Sequence, residues 1–162
     1  MTNKHVESTL TTGELWQFSL QYYNVSEVKE ACLTLQNHYR GNVNLLLLLK
    51  WLDEQQLSFG DDAWAHLHTS LQRSDALLHD YRYLRRQMKH HVINCLYRDA
   101  LQFELTLEKQ QQADLVAALL QTPLQRTDQS ALVYNYCQRL SCPNLYRIFS
   151  QPCHRAIKQS EA

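Results

Sequence analysis

Apolar positions along this chain recur at intervals of three and four, and residues that start or stop helices separate the runs. Thr11-Thr12-Gly13-Glu14 has the form of a capping box ahead of Leu15, Trp16, Phe18, Leu20 and Tyr22, which predicts a helix from about Gly13 to Tyr23. Ser26 precedes Glu27 and Glu30, acids suited to a helix start, and Val28, Ala31, Cys32, Leu35 and Tyr39 continue at helical spacing, so a second helix should end at Arg40 before Gly41. Asn42 or Asn44 caps a third helix running through Leu45 to Leu49 and on to Glu54 or Gln56. Successive helix residues turn by about 100°, so five leucines in a row cover the whole circumference, and this helix must be surrounded on all sides. Leu57 to Gly60 reads as a loop, with Asp61-Asp62 capping the next helix.

From Asp61 to Thr122 there is neither glycine nor proline. One helix of that span would run to about 90 Å, whereas a globule of this size has a radius of gyration near 15 Å, so the segment folds back. Ser74-Asp75 and His90 to Asn94 are the breaks the residue types favour. They divide the segment into helices at about 62–73, 75–90 and 93–121, the first two of which also read as one. Leu96, Ala100, Phe103 and Leu107 form one stripe of the last helix and Leu101, Leu105, Leu115 and Leu119 another; Gln110-Gln111-Gln112 interrupts both, so no sustained coiled-coil heptad is supported. After Thr122-Pro123, Asp128 caps Gln129 to Leu140, whose apolar face is Leu132, Val133, Tyr136, Cys137 and Leu140. Cys142-Pro143-Asn144 is a turn, and Leu145 to Phe149 forms a last helical turn or two. No segment shows β alternation. The expectation is an all-α, compact single-domain bundle of six or seven helices with a long helical hairpin in mid-chain. It occupies residues 1–150, with an N-terminal tail over 1–11 and a flexible C-terminal tail over 151–162.

Composition narrows the class. In 162 residues, 44% hydrophobic content is enough for a self-sufficient core, and only three glycines and three prolines favour helices over hairpins. Lys plus Arg balances Asp plus Glu at 16 each, so no global field directs the chain to nucleic acid or an anionic surface. Residues 125–162 hold five cations against two acids and are the basic part. The first residues carry no apolar run of signal-peptide length, which points to the cytoplasm. Cys32, Cys95, Cys137, Cys142 and Cys153 are odd in number and lack disulfide-framework spacing, as reduced thiols do. A membrane span needs about 20 apolar residues, and the run Val43 to Leu49 is broken by Asn44 and ended by Lys50, so no membrane partner is expected.

No catalytic chemistry is legible, and no cofactor or metal is expected. Cys137 and Cys142 with Cys153-His154, and His66 and His68 with His79, are the metal-type residues, but neither set has structural-zinc spacing. There is no nucleophile with an orienting partner and no glycine-rich phosphate loop. Glu104 and Glu108, one turn apart, suit chelation or acid–base work, though solvated helix-face carboxylates are commoner. The most distinct charged feature is Arg82, Arg85, Arg86 and Lys89, which a helix presents on one face while Tyr81, Leu84 and Met88 take another. That face suits phosphate tracking on nucleic acid or contact with a partner. The plainer alternative pairs it with Asp99, Glu104 and Glu108 on the neighbouring helix.

Trp16-Gln17-Phe18-Ser19-Leu20 with Tyr23, then Ala31-Cys32-Leu33 and Leu35-Gln36, then Asn42-Val43-Asn44-Leu45-Leu46-Leu47 and Trp51-Leu52, form a recognisable pattern. In this pattern the sequence resembles a group of small proteobacterial proteins of similar length classed as a domain of unknown function. The resemblance is specific over Leu15 to Leu52, continues weakly at Leu84 to Lys89 and at Glu104, Glu108 and Gln111, and stops near Thr122. It implies a bacterial, cytoplasmic, helical protein of unestablished activity and brings no catalytic residues. The family often has an acid before the Val-Asn pair, where this chain has Asn42; as a helix cap, asparagine serves equally. Trp16, Phe18, Asn44 and Trp51 invite a small-molecule pocket, while core tryptophans with a capping asparagine explain the same residues. The reading favoured by these features is a protein that acts through protein contacts or self-association, as an adaptor, regulator or oligomer subunit. The alternatives are a nucleic-acid-associated protein using the basic face, and an enzyme or small-molecule binder with a helical pocket.

Overall fold

A computed structural model of the chain describes residues 10–153. In chain order the elements are α1 (Thr12–Tyr23), α2 (Ser26–His38), α3 (Val43–Glu54), β1 (Leu57–Phe59), α4 (Asp62–Met88), α5 (Asn94–Leu120), β2 (Leu124–Arg126), α6 (Leu132–Arg139) and α7 (Pro143–Phe149). The class is all-α. The pairs Leu57–Arg126, Ser58–Gln125 and Phe59–Leu124 make a small antiparallel ribbon where the residue types predict a loop, because three residues a side are too few to show alternation.

Helix α3 is the centre. Asn42 caps it, its Oδ1 accepting from Leu45 N at 2.8 Å. Leu45 to Leu49 are all buried, with α1, α2, α5, α6 and β1 packed around them. Lys50 is buried too: its ammonium lies 2.8 Å from Glu54 and donates to the Gln151 carbonyl at 2.9 Å. Cys153 N also donates to Glu54, so residues 151–153 pack on α3 and are not a loose tail. At the other end Leu10 joins the core, and Thr11 Oγ1 caps α1 by accepting from Glu14 N at 3.2 Å, so the expected N-terminal tail does not extend over these two residues. The rest of both expected tails lies outside the described residues.

Helix α4 runs unbroken through Ser74-Asp75. A helix interior tolerates Ser74 because its hydroxyl donates back to the Leu71 carbonyl. The chain reverses instead at residues 89–93, where the Met88 carbonyl accepts from His91 N and Val92 N. Helices α4 and α5 thus form an antiparallel hairpin whose base packs into the body through α5 against α1 and α3. The far half stands alone: from Tyr81 to Met88 no residue of α4 is fully buried.

Helix α6 begins at Leu132, later than expected, and Asp128 does not cap it. Asp53 at the end of α3 does, accepting from Leu132 N at 3.1 Å and Val133 N at 3.0 Å. Helix α2 ends at His38, earlier than expected, and Arg40 takes the left-handed conformation at φ 55° usually left to glycine. Gly41 is needed for space: a Cβ there would sit 2.6 Å from Leu35 Cγ and 2.9 Å from Leu140 Cδ1.

Candidate functional site

Two of the four cations on the α4 face are internal to the hairpin. Arg85 grips Glu104 with Nε and an Nη at 2.8 and 3.1 Å, and Arg82 reaches Glu108 at 2.8 Å and Glu104 at 3.4 Å. Glu104 is only 7% exposed, so this pairing crosses a partly dry seam and is stronger than a surface bridge. The Glu104 carboxylate in turn pushes the Arg85 guanidinium above its ordinary value. Arg86 and Lys89 are exposed and form no ion pair among the described residues, and Asp99 takes no part.

At the hairpin's base a chain of amides runs inward from the exposed Asp75 to the buried Asn44, Gln111 and Gln112. An ionised carboxylate only accepts, so Asp75 Oδ1 draws the Gln111 amino group at 2.8 Å and that of Asn42 at 2.7 Å. Gln111 Nε2 also donates to Ser74 Oγ, which turns Gln111 Oε1 toward Asn44 Nδ2 at 2.9 Å and Asn42 Nδ2 at 3.1 Å. Asn44 then presents Oδ1 to Gln112 Nε2 at 3.1 Å, and that amino group also donates to Ser19 Oγ at 2.9 Å. The Ser19 hydroxyl proton is committed to the Leu15 carbonyl at 2.8 Å. The orientation of every amide is therefore fixed from one end, and the last oxygen, Gln112 Oε1, has no partner and is out of water's reach. An orphan of this kind costs on the order of 1–3 kcal/mol.

Gln112, Asn44 and Ser19 floor a pocket of about 230 Å³ walled by Trp16, Leu20, Tyr23, Leu47 and Leu105, with Glu108 at its edge. A cleft of about 500 Å³ shares Gln36, Val43 and Asn44 with it and brings Arg40, Asp75, His79 and Arg82 together. Of the four residues singled out as pocket or core, Trp16 and Asn44 meet here. Phe18 instead stacks on Tyr22 at 5.5 Å, and Trp51 is in the core beside the leucines. Lys109 lies over the outer face of Trp16 at 5.8 Å. Sequence reading missed Ser19, Gln111 and Gln112. The available signal was polar residues at positions of the buried stripes.

On the opposite flank of the hairpin, Leu77, Tyr81, Leu84 and Met88 of α4 align with Leu96, Phe103 and Leu107 of α5, joined where the Tyr81 and Phe103 rings meet at 5.5 Å. Leu77, Leu84, Leu96 and Phe103 are each about half exposed. Burial pushes the Cys32 and Cys137 thiols up to about 12 and also raises Cys142 and Cys153, which disfavours at these four positions the thiolate a nucleophile or metal ligand needs. His66 contacts Gln121, His68 is exposed and His79 lines the cleft, while His154 lies outside the described residues. No group of three metal-type ligands gathers among the described residues, and no helix there is long and apolar enough to cross a membrane.

The fold defines an all-α protein organised about a buried leucine helix and a projecting hairpin. Residues 14–115, which include the ion pairs, the amide chain and the Trp16 pocket, match the family described as a protein of unknown function, DUF2390, and the chain belongs to that family. No curated protein and no solved structure matches it.

Proposed function

We propose that this is a bacterial, cytoplasmic, self-associating scaffold protein whose α4–α5 hairpin pairs with that of a second copy to form a four-helix bundle. The observation that carries the reading is the open apolar flank: positions 77, 81, 84 and 88 on α4, and 96, 100, 103 and 107 on α5, follow the alternating four-and-three spacing that takes a helix as partner. A second copy brings an identical pair of helices, and a two-fold axis sets like surface on like surface. The balanced charge of the chain imposes no repulsion between copies. Five free cysteines, four of them buried, fit a reducing compartment. The nucleic-acid reading stands behind this one, since Arg82 and Arg85 are already held by Glu104 and Glu108.

Sedimentation equilibrium tests the proposal. The wild-type protein is expected to be a dimer that persists in high salt, because its contact is apolar. Leu84→Glu and Phe103→Glu, both at exposed positions, should give monomers of unchanged helicity. A wild-type protein that is monomeric at roughly 100 µM, where even a micromolar dimer is almost fully assembled, overturns the reading, as does a dimer indifferent to both substitutions.

A further inference from the structure

We infer that the tip of the α4–α5 hairpin docks on an anionic lipid surface, with Ile93 entering the headgroup region and the cations around it held by phosphates. Residues 86–98 contain Arg86, Lys89 and Arg98, with His90 and His91 between them, and no Asp or Glu. All five of these side chains are exposed, and none forms an ion pair among the described residues. Further down the hairpin Arg82 and Arg85 are neutralised by Glu104 and Glu108, and the next acids along the chain, Asp80 and Asp99, stand on the body side of the free cations. The unbalanced charge is thus confined to the tip. Helix residues advance about 1.5 Å each, so Arg86 and Arg98 stand within about 8 Å of the turn, close to the reach of their own side chains. A second observation has a separate cause. Ile93 is 70% exposed, more than any other large apolar side chain described. It sits at the N-cap of α5, where Ser, Thr, Asp or Asn would hydrogen-bond the first turn, and its side chain caps nothing. The fold is better served by a polar residue there, and an apolar partner outside the chain accounts for the isoleucine. An apolar point ringed by cations suits a lipid surface, where the point leaves water while Arg and Lys reach the phosphates. Nucleic acid also attracts cations, but residues 84–96 hold no Phe, Tyr or Trp to stack on bases. The sequence expectation of no membrane partner rests on the want of a span, and a contact made from outside the bilayer needs none. The tip shares no residue with the apolar flank assigned to self-association, so each stands or falls by itself.

Co-sedimentation of the full chain with vesicles tests the inference. The protein should pellet with phosphatidylcholine vesicles that carry about 30% phosphatidylglycerol and stay in solution with phosphatidylcholine alone, because the cations need anionic headgroups. Arg86→Gln combined with Lys89→Gln should weaken this binding about thirtyfold, and Ile93→Ser at least about tenfold. All three positions are exposed, so helicity should not change. Cys95, the one exposed thiol of the five, can carry an environment-sensitive fluorophore two residues from Ile93, and its emission should shift to the blue on the anionic vesicles. Equal binding to neutral vesicles overturns the assignment, as does binding indifferent to either set of substitutions, an unshifted label, or no binding at low salt, where the attraction is least screened. A fluorescent oligonucleotide titrated at the same ionic strength distinguishes the other source of phosphate. Binding tighter than to the vesicles, lost with Arg86 and Lys89 and untouched by Ile93→Ser, overturns the lipid assignment in favour of nucleic acid.

Discussion

Gln111 and Gln112 are adjacent, identical in type and both almost fully buried, yet replacing each with methionine should have very different consequences. Gln111 makes four hydrogen bonds: it donates to Ser74 and Asp75 and accepts from Asn42 and Asn44. At about 1 kcal/mol for each neutral bond and more for the one to a carboxylate, their loss comes to about 4 kcal/mol, which the extra apolar burial of methionine offsets by about 1. The Asn44 amino group would keep only the Glu108 carbonyl, at 3.5 Å. Gln112→Met also loses two donated bonds, about 2 kcal/mol, and exchanges one orphan for another, since its own unpaired oxygen goes but Asn44 Oδ1 loses its donor; with the same gain of about 1 kcal/mol from methionine burial, the net cost should be about 1 kcal/mol. The variants should therefore differ by about 2 kcal/mol. With a urea dependence of roughly 2 kcal/mol per molar for a chain of this length, their unfolding midpoints, followed by circular dichroism, should lie about 1 M apart. Midpoints within roughly 0.5 M of each other, or in the reverse order, would refute the assigned direction of the amide chain and the orphan at its end.

Leu48→Ala, at a position with no exposure and helices on every side, should cost about 3–5 kcal/mol in the same assay; a cost below roughly 1 kcal/mol would show that α3 does not sit at the centre of the core. Asp53 gives a pH signature: burial raises its carboxyl above the ordinary value of about 3.9, against the lowering by Leu132 N and Val133 N. The fold thus holds a proton that the unfolded chain has already released, so the contribution of this group is fully present below the unfolded value and declines as pH rises through the folded one. Urea midpoints of wild type minus Asp53→Asn should fall across that window, and a flat difference would rule the shift out.

The parts of this fold that are legible in the sequence are those set by near neighbours. Thr11 and Asn42 cap the helices they precede, the leucine run demands an all-round enclosure, and the length of residues 61–122 forces a reversal close to where it occurs. The parts that cannot be read there depend on residues far apart in the chain. Asp53 caps a helix 79 positions away, and Gln112 meets Ser19 across 93. Gln110 to Gln112 interrupt the apolar stripes of α5 because nothing in one sequence announces that Asn44 and Ser74 wait opposite. The same limit applies to Ser74-Asp75, whose types argue for a helix break until Gln111 is seen to use both.

The packing of α3 against α6 carries a consequence for where this protein can be divided. The family's shared pattern stops at residue 115, yet Tyr136 receives the Asn42 N–H at 2.8 Å and stacks on Trp64, and Leu132 and Val133 need the Asp53 carboxylate. A chain cut at the edge of the shared pattern would therefore open the leucine helix to water and leave the half-buried Asp53 carboxylate without its donors. What relatives hold in common and what must fold together are, in this molecule, two different lengths of polypeptide.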